Sequence, residues 1–117
     1  MTKLQDIKDK LENKYISLAS VTPDNKPHAI AAEINKVEDG KIVITNNFMK
    51  TTIENIKNNP NVSLVLIEGE NGWKINGKAK YYDSGKWLNF VKSLETNKRY
   101  NPKGAIVIDV ERVEELG

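Results

Sequence analysis

Lys41-Ile42-Val43-Ile44-Thr45 runs into Asn46-Asn47-Phe48-Met49-Lys50-Thr51-Thr52-Ile53, and Asn59-Pro60-Asn61-Val62 follows a few residues later. This stretch decides the fold, because its pattern changes twice. Residues 41–45 read as a strand, and 46–49 as a loop. Ile53 and Ile56, three apart, predict a short helix. Asn59-Pro60 ends that helix, since a residue before proline avoids the helical region. From Asn61 to Glu68 the chain is at its most apolar, with Val62, Leu64, Val65, Leu66 and Ile67. It predicts a strand buried on both faces.

Working outward, Glu38-Asp39-Gly40 precedes the 41–45 strand, and Asp-Gly signals a hairpin. A strand from about His28 to Lys36 lies before it. Pro23-Asp24-Asn25-Lys26 makes the turn from a first strand at 15–22. Thr2 and Gln5 have capping-box spacing, and Leu4, Ile7 and Leu11 share a face, so residues 2–14 predict an amphipathic helix. Downstream, Gly69-Glu70-Asn71-Gly72 turns into a strand alternating Trp73, Ile75, Gly77, Ala79 and Tyr81 against lysines and Asn76, with one face wet. Asp83-Ser84-Gly85 leads into a helix on which Trp87, Val91 and Leu94 share a face, and residues 104–113 form a last strand. Six strands joined mostly by hairpins favour an antiparallel barrel over a parallel sheet, in one domain of 117 residues.

Hydrophobic residues at 38% and charged residues at 29% suit a globular chain rather than a disordered one. No apolar run approaches the roughly 20 residues of a membrane helix. The start, Met1-Thr2-Lys3-Leu4, lacks a signal-peptide pattern, and there is no cysteine, so a cytoplasmic protein without thiolate or disulfide chemistry is expected. Net charge is +2, with basic and acidic residues interspersed and only two arginines, Arg99 and Arg112. That is not the basic stripe of a nucleic-acid binder. An anionic small molecule needs only one or two well-placed cations.

The segment 45–53 carries the most chemistry. It leaves a strand and enters a helix through hydroxyl, amide and ammonium groups. A helix start offers unpaired N–H groups and a positive partial charge to an anion. Lys50 would add a full charge, and Thr51 and Thr52 their hydroxyls. The same residues are also compatible with an ordinary helix cap beside a solvated lysine. His28 is the only histidine, with no partners for a metal site or a nucleophilic triad, so no catalytic residue and no metal ligand are assigned. Glu33 is placed either toward a ligand cleft or in solvent. Trp73 and Trp87 are expected in packing roles, with Tyr81 either packed or beside a flat ligand. Tyr100, in the polar loop 97–102, is expected to make a contact.

Taken together these residues resemble the pyridoxamine 5′-phosphate oxidase-like family of FMN-binding split barrels. Three segments carry the likeness in order: Leu18-Ala19-Ser20-Val21 with Lys26-Pro27-His28; Thr45-Asn46 through Lys50-Thr51-Thr52 to Asn55-Ile56 and Asn59-Pro60-Asn61-Val62; and Gly72-Trp73 through Gly77-Lys78-Ala79. The resemblance implies a six-stranded antiparallel split β-barrel that forms a homodimer, with FMN at the interface. It also implies roles. Lys50, Thr51 and Thr52 match the phosphate loop. Thr45, Asn46 and Asn47 match the strand end beside the isoalloxazine ring, and Ala31, Ala32 and Glu33 the opposite wall. Tyr100 falls where a partner subunit offers an aromatic. The oxidase carries arginines in its second strand and phosphate loop, and a C-terminal segment for pyridoxal phosphate. Here those places hold Ala31, Ala32, Glu33 and Met49, and the sequence ends at Gly117, which argues against vitamin B6 oxidation.

The expected function is therefore an FMN-dependent oxidoreductase or electron-transfer protein, in which the cofactor does the redox work. The competing readings are a non-enzymatic module holding a deazaflavin or haem, and a structural dimer with an empty cleft.

Overall fold

The computed structural model describes residues 3–116. Its six strands are β1 (Tyr15–Val21), β2 (Pro27–Glu38), β3 (Lys41–Asn46), β4 (Asn61–Glu68), β5 (Asn71–Tyr82) and β6 (Gly104–Leu116). They close into a barrel in the order β1-β2-β3-β6-β5-β4, and every neighbouring pair is antiparallel. The alternation in the sequence explains the closure. Ile16 and Leu18 of β1, Ile42 and Ile44 of β3, Leu64 of β4, Ile75 of β5 and Ile106 and Ile108 of β6 all point inward and are buried in one core. Each such full burial contributes about 1.5–3 kcal/mol. At the β2–β3 turn Asp39 and Gly40 both have positive φ, 51° and 76°, as the expected Asp-Gly hairpin turn requires.

The helices cover what the barrel leaves open. Helix α2 (Thr51–Asn58) buries Ile53 and Ile56 in the main core, and Asn55 Nδ2 donates to Ser20 Oγ of β1 at 3.0 Å. Helix α3 (Gly85–Ser93) lies outside the barrel, where Val91 packs with Val43 of β3 and Ala105 of β6, flanked by Trp87 and Leu94. Trp73 is buried in the core, in the packing role expected of it. None of the described helices is long and apolar enough to cross a membrane.

Two expectations need correction. The N-terminal helix is not continuous over 2–14. A 3₁₀ turn (Leu4–Ile7) runs into a single α-helical turn, α1 (Lys8–Leu11), which ends because the chain must pair with the barrel. Asn13, at φ 65°, donates its N–H to Ile34 O, and Lys14 O accepts from Ile34 N–H. The Thr2 half of the expected cap lies outside the described residues. Strand β4 is also buried on one face only: Val62, Leu64 and Leu66 enter the core, while Ile67 is 71% exposed. Ser63 and Val65 on its other face are only partly buried, so the apolar run overstated its burial.

Candidate functional site

The site starts from an irregularity in β2. Ile34 pairs with Ile44 and Lys36 with Val43, so Asn35 is an extra residue in the ladder. Its side chain replaces the missing partner. Asn35 Oδ1 accepts from the backbone N–H of Thr45 at 2.9 Å and from the Thr45 hydroxyl at 2.6 Å. From the opposite side comes Asn97, in the 3₁₀ turn Glu95–Asn97 between α3 and β6. Asn97 Nδ2 donates to Thr45 Oγ1 at 2.9 Å and to Val91 O at 2.8 Å. Three segments distant in sequence thus meet on one threonine.

Beyond Thr45 the chain leaves the barrel. Asn46 is buried; its Oδ1 accepts from Met49 N–H at 2.7 Å, and its Nδ2 donates to Tyr81 Oη at 2.9 Å. This double contact shapes the turn that delivers Lys50 to the start of α2. Lys50 is the N-cap residue, and no side chain caps the helix. The first backbone N–H groups of α2 therefore have no intrahelical acceptor, and the macrodipole adds positive potential beside the Lys50 ammonium. Thr52 is buried and Thr51 exposed.

These pieces surround one open cleft of about 1060 Å³. Ala31, Ala32, Glu33, Thr45, Asn47, Lys50, Thr51, Thr52 and Tyr100 all line it. Asn46 does not, because both ends of its side chain are committed to Met49 and Tyr81; it shapes the loop from behind. Tyr81 likewise stays off the cleft, packed against the core with Lys57 Nζ 5.4 Å from its ring. The cleft also includes residues not singled out from the sequence, notably Asn35, Asn97, Phe48 and Arg99, and His28, to which no role was assigned. Asn35 was signalled by the alternation, which steps from Ile34 to Val37 by three instead of two. Asn97 had no such signal, being one amide in a polar loop. At the mouth, Phe48 meets Tyr100 edge to face at 6.1 Å, and the Arg99 guanidinium lies 5.1 Å from the Tyr100 ring.

The donor set fits a phosphorylated, planar, polar-edged ligand. Cation, hydroxyls and helix N–H groups gather at α2, while Asn47 Oδ1 is buried with no hydrogen-bond partner among the described residues. A buried acceptor left alone is costly, and a donor from a bound water or ligand would remove that cost. No group of three or more His, Asp or Glu side chains that could hold a metal occurs among the described residues.

The family model described as pyridoxamine 5′-phosphate oxidase matches residues 4–117. The chain belongs to that family. An uncharacterised protein of Methanocaldococcus jannaschii is 31% identical over 112 residues, covering 91% of this chain and 75% of its own. Among solved structures, HupZ of Group A Streptococcus superposes with a TM-score of 0.87 at 23% identity, covering 99% of this chain and 94% of that one. An FMN-binding protein from Syntrophomonas wolfei gives a TM-score of 0.74 at 12% identity, covering 97% and 88%. These likenesses place the pyridoxamine 5′-phosphate oxidase fold on the whole described chain.

Proposed function

We propose that this family member is a cytoplasmic FMN-binding flavoprotein, an oxidoreductase or electron-transfer protein that works as a homodimer. The observation that carries the reading is the uncapped start of α2, with Lys50, Thr51 and Thr52, opening into the same cleft as the amide-lined end of β3. One end answers a phosphate and the other a polar ring edge. Lys50 and the α2 N–H groups hold the phosphate, with the Thr51 and Thr52 hydroxyls as donors. Thr45, Asn47 and the β2 residues Ala31, Ala32 and Glu33 flank the ring. Small side chains at 31 and 32 leave room for a flat ligand. FMN supplies the electron chemistry when bound, and the protein's part is to position it and exclude competing reactions.

The dimer is supported by what surrounds the mouth. Tyr15 is 71% exposed and Phe48 80%, and both line the cleft with Tyr100. Large aromatics gathered at an open site favour cover by a second copy of the chain.

An absorbance spectrum of the purified protein, followed by a fluorescence-quenching titration with FMN, tests the cofactor. Flavin bands or saturable quenching support it. A colourless protein that leaves FMN fluorescence unchanged overturns it, and a Soret band would substitute haem. Light scattering on the eluting protein checks the dimer; a monomer in the FMN-loaded state rejects it.

A further inference from the structure

We infer that Met49 is an oxidation site of the cleft: a peroxide converts its thioether to the sulfoxide, and the loop that carries Lys50 then loses its seat on the core. The inference rests on the FMN reading for its consequence at the phosphate end, while the modification itself stands on the loop.

The chain has two methionines, Met1 and Met49, and Met1 lies outside the described residues. Met49 is half-buried and faces two surroundings at once. It packs against the main barrel core, and it also lines the open cleft. A thioether placed so can be reached by a small solute, unlike the side chains inside the barrel.

Its neighbours give the position leverage. Phe48 before it and Lys50 after it are both exposed, so of these three residues only Met49 packs into the core. The Met49 N–H is held by Asn46 Oδ1 at 2.7 Å, and Lys50 is the N-cap residue of α2. One apolar contact and one hydrogen bond therefore set the chain's path from Asn46 to the start of α2.

Oxidation removes the apolar half of that arrangement. The sulfur lone pair attacks one oxygen of hydrogen peroxide and the O–O bond breaks. The second oxygen leaves as water, taking the proton of the first. Sulfur is oxidised by two electrons and the peroxide is reduced by two. The product is polar and carries a new acceptor oxygen. Against a largely aliphatic core that oxygen is poorly satisfied, so the favoured arrangement turns it out into the cleft. Lys50, the next residue, moves with it. The ammonium and the first N–H groups of α2 then converge less well, and the phosphate end weakens while the β2 wall is untouched.

The test exposes the full chain to dilute hydrogen peroxide and maps the added oxygen by peptide mass spectrometry. Treated and untreated protein are then titrated with FMN and with riboflavin. Met49 is expected to gain one oxygen, with FMN weakened by about tenfold and riboflavin by less than about twofold. Reduction by a methionine sulfoxide reductase should restore the FMN affinity. Met49→Leu stays apolar and should give the same titration before and after peroxide. Met49→Gln, polar from the outset, should show the loss without peroxide.

A Met49 left unmodified under conditions that oxidise a free methionine peptide overturns the inference. So does a modified Met49 with FMN affinity unchanged, or a Met49→Leu protein that loses affinity on peroxide as the wild type does. If the untreated protein binds no FMN, the cofactor reading fails by itself and the urea midpoint decides. A midpoint that falls on oxidation in the wild type but not in Met49→Leu then sustains the oxidation site, and unchanged midpoints reject it.

Discussion

The barrel has two places where a strand carries one residue too many, and they have been put to different uses. In β2 the extra residue is Asn35, between the pairs Ile34–Ile44 and Lys36–Val43. In β6 it is Glu111, between Val110–Gly77 and Arg112–Asn76. Both re-phase a strand so that apolar residues keep facing the core. At the first, the displaced side chain turns back and takes the N–H and hydroxyl of Thr45, bracing the cleft. At the second, the displaced Glu111 is exposed, and the accommodation is made by a neighbour, Gly77. One bulge supports a site through its side chain, and the other supports only the sheet.

The largest expected effect falls on the second bulge. A Cβ on Gly77 would collide with the carbonyl oxygen of Asp109 and lie 2.8 Å from Ile108 Cγ2. Both belong to the β6 backbone or the packed core, so neither can yield cheaply. Gly77→Ala is expected to cost about 3 kcal/mol or more, read as a fall in urea midpoint or as insoluble protein. A variant of wild-type stability would mean that β5 and β6 approach less closely here.

Both bulges were legible in principle. Ile30, Ala32 and Ile34 step by two, and the next core residue, Val37, comes three later. Ile106, Ile108 and Val110 step by two, and Val113 again comes three later. A slip of phase in an alternating strand is the signature of an inserted residue. The six strands were readable from alternation or, for β4, from an apolar run, and the Asp39-Gly40 turn from its dipeptide. The site was readable only in part. Lys50, Thr51 and Thr52 stood out because they sit at a strand-to-helix change. Asn97 did not, because its role depends on a meeting with Thr45 across 52 residues that no local pattern encodes, and Asn35 was marked only by its slip of phase. Asn46 drew attention for its position beside Asn47, yet its side chain is spent on Met49 and Tyr81 rather than on the cleft.

The first bulge gives the next largest effect. Removing the Asn35 amide leaves the buried Thr45 N–H without its acceptor and breaks the relay to Asn97. Asn35→Ala is expected to destabilise the protein by about 2 kcal/mol, with the slope of the urea transition unchanged. Asn35→Asp keeps the accepting oxygen and should recover most of that loss. Equal damage in both variants would show that the strand's shape, and not the hydrogen bonds to Thr45, holds this bulge.

A smaller effect, confined to the ligand, separates the cleft from the rest of the barrel. Lys50 is exposed and lies outside the core, so Lys50→Ala should leave stability unchanged. It should weaken FMN by about tenfold, or about 1.4 kcal/mol, and riboflavin by less than about twofold. Parallel titrations of the two flavins give the ratio directly. Equal loss for both would remove Lys50 from the phosphate end.

The smallest effect decides whether the two bulges really differ in kind. Glu111 interrupts the ladder as Asn35 does, but it is exposed and does not line the cleft. If an inserted residue matters for the backbone displacement it causes, its side chain is free to vary, and Glu111→Ala should change stability by no more than about 0.5 kcal/mol. Backbone displacement is common to both bulges, so this variant and Asn35→Ala form a matched pair measured under the same urea titration. A large loss from Glu111→Ala would show that β6 also depends on the inserted side chain, and the division into a bulge that serves the site and a bulge that serves the sheet would fall. A near-zero value beside a loss of about 2 kcal/mol at Asn35 would instead assign that loss to the Thr45 hydrogen bonds, the feature that only the cleft side possesses.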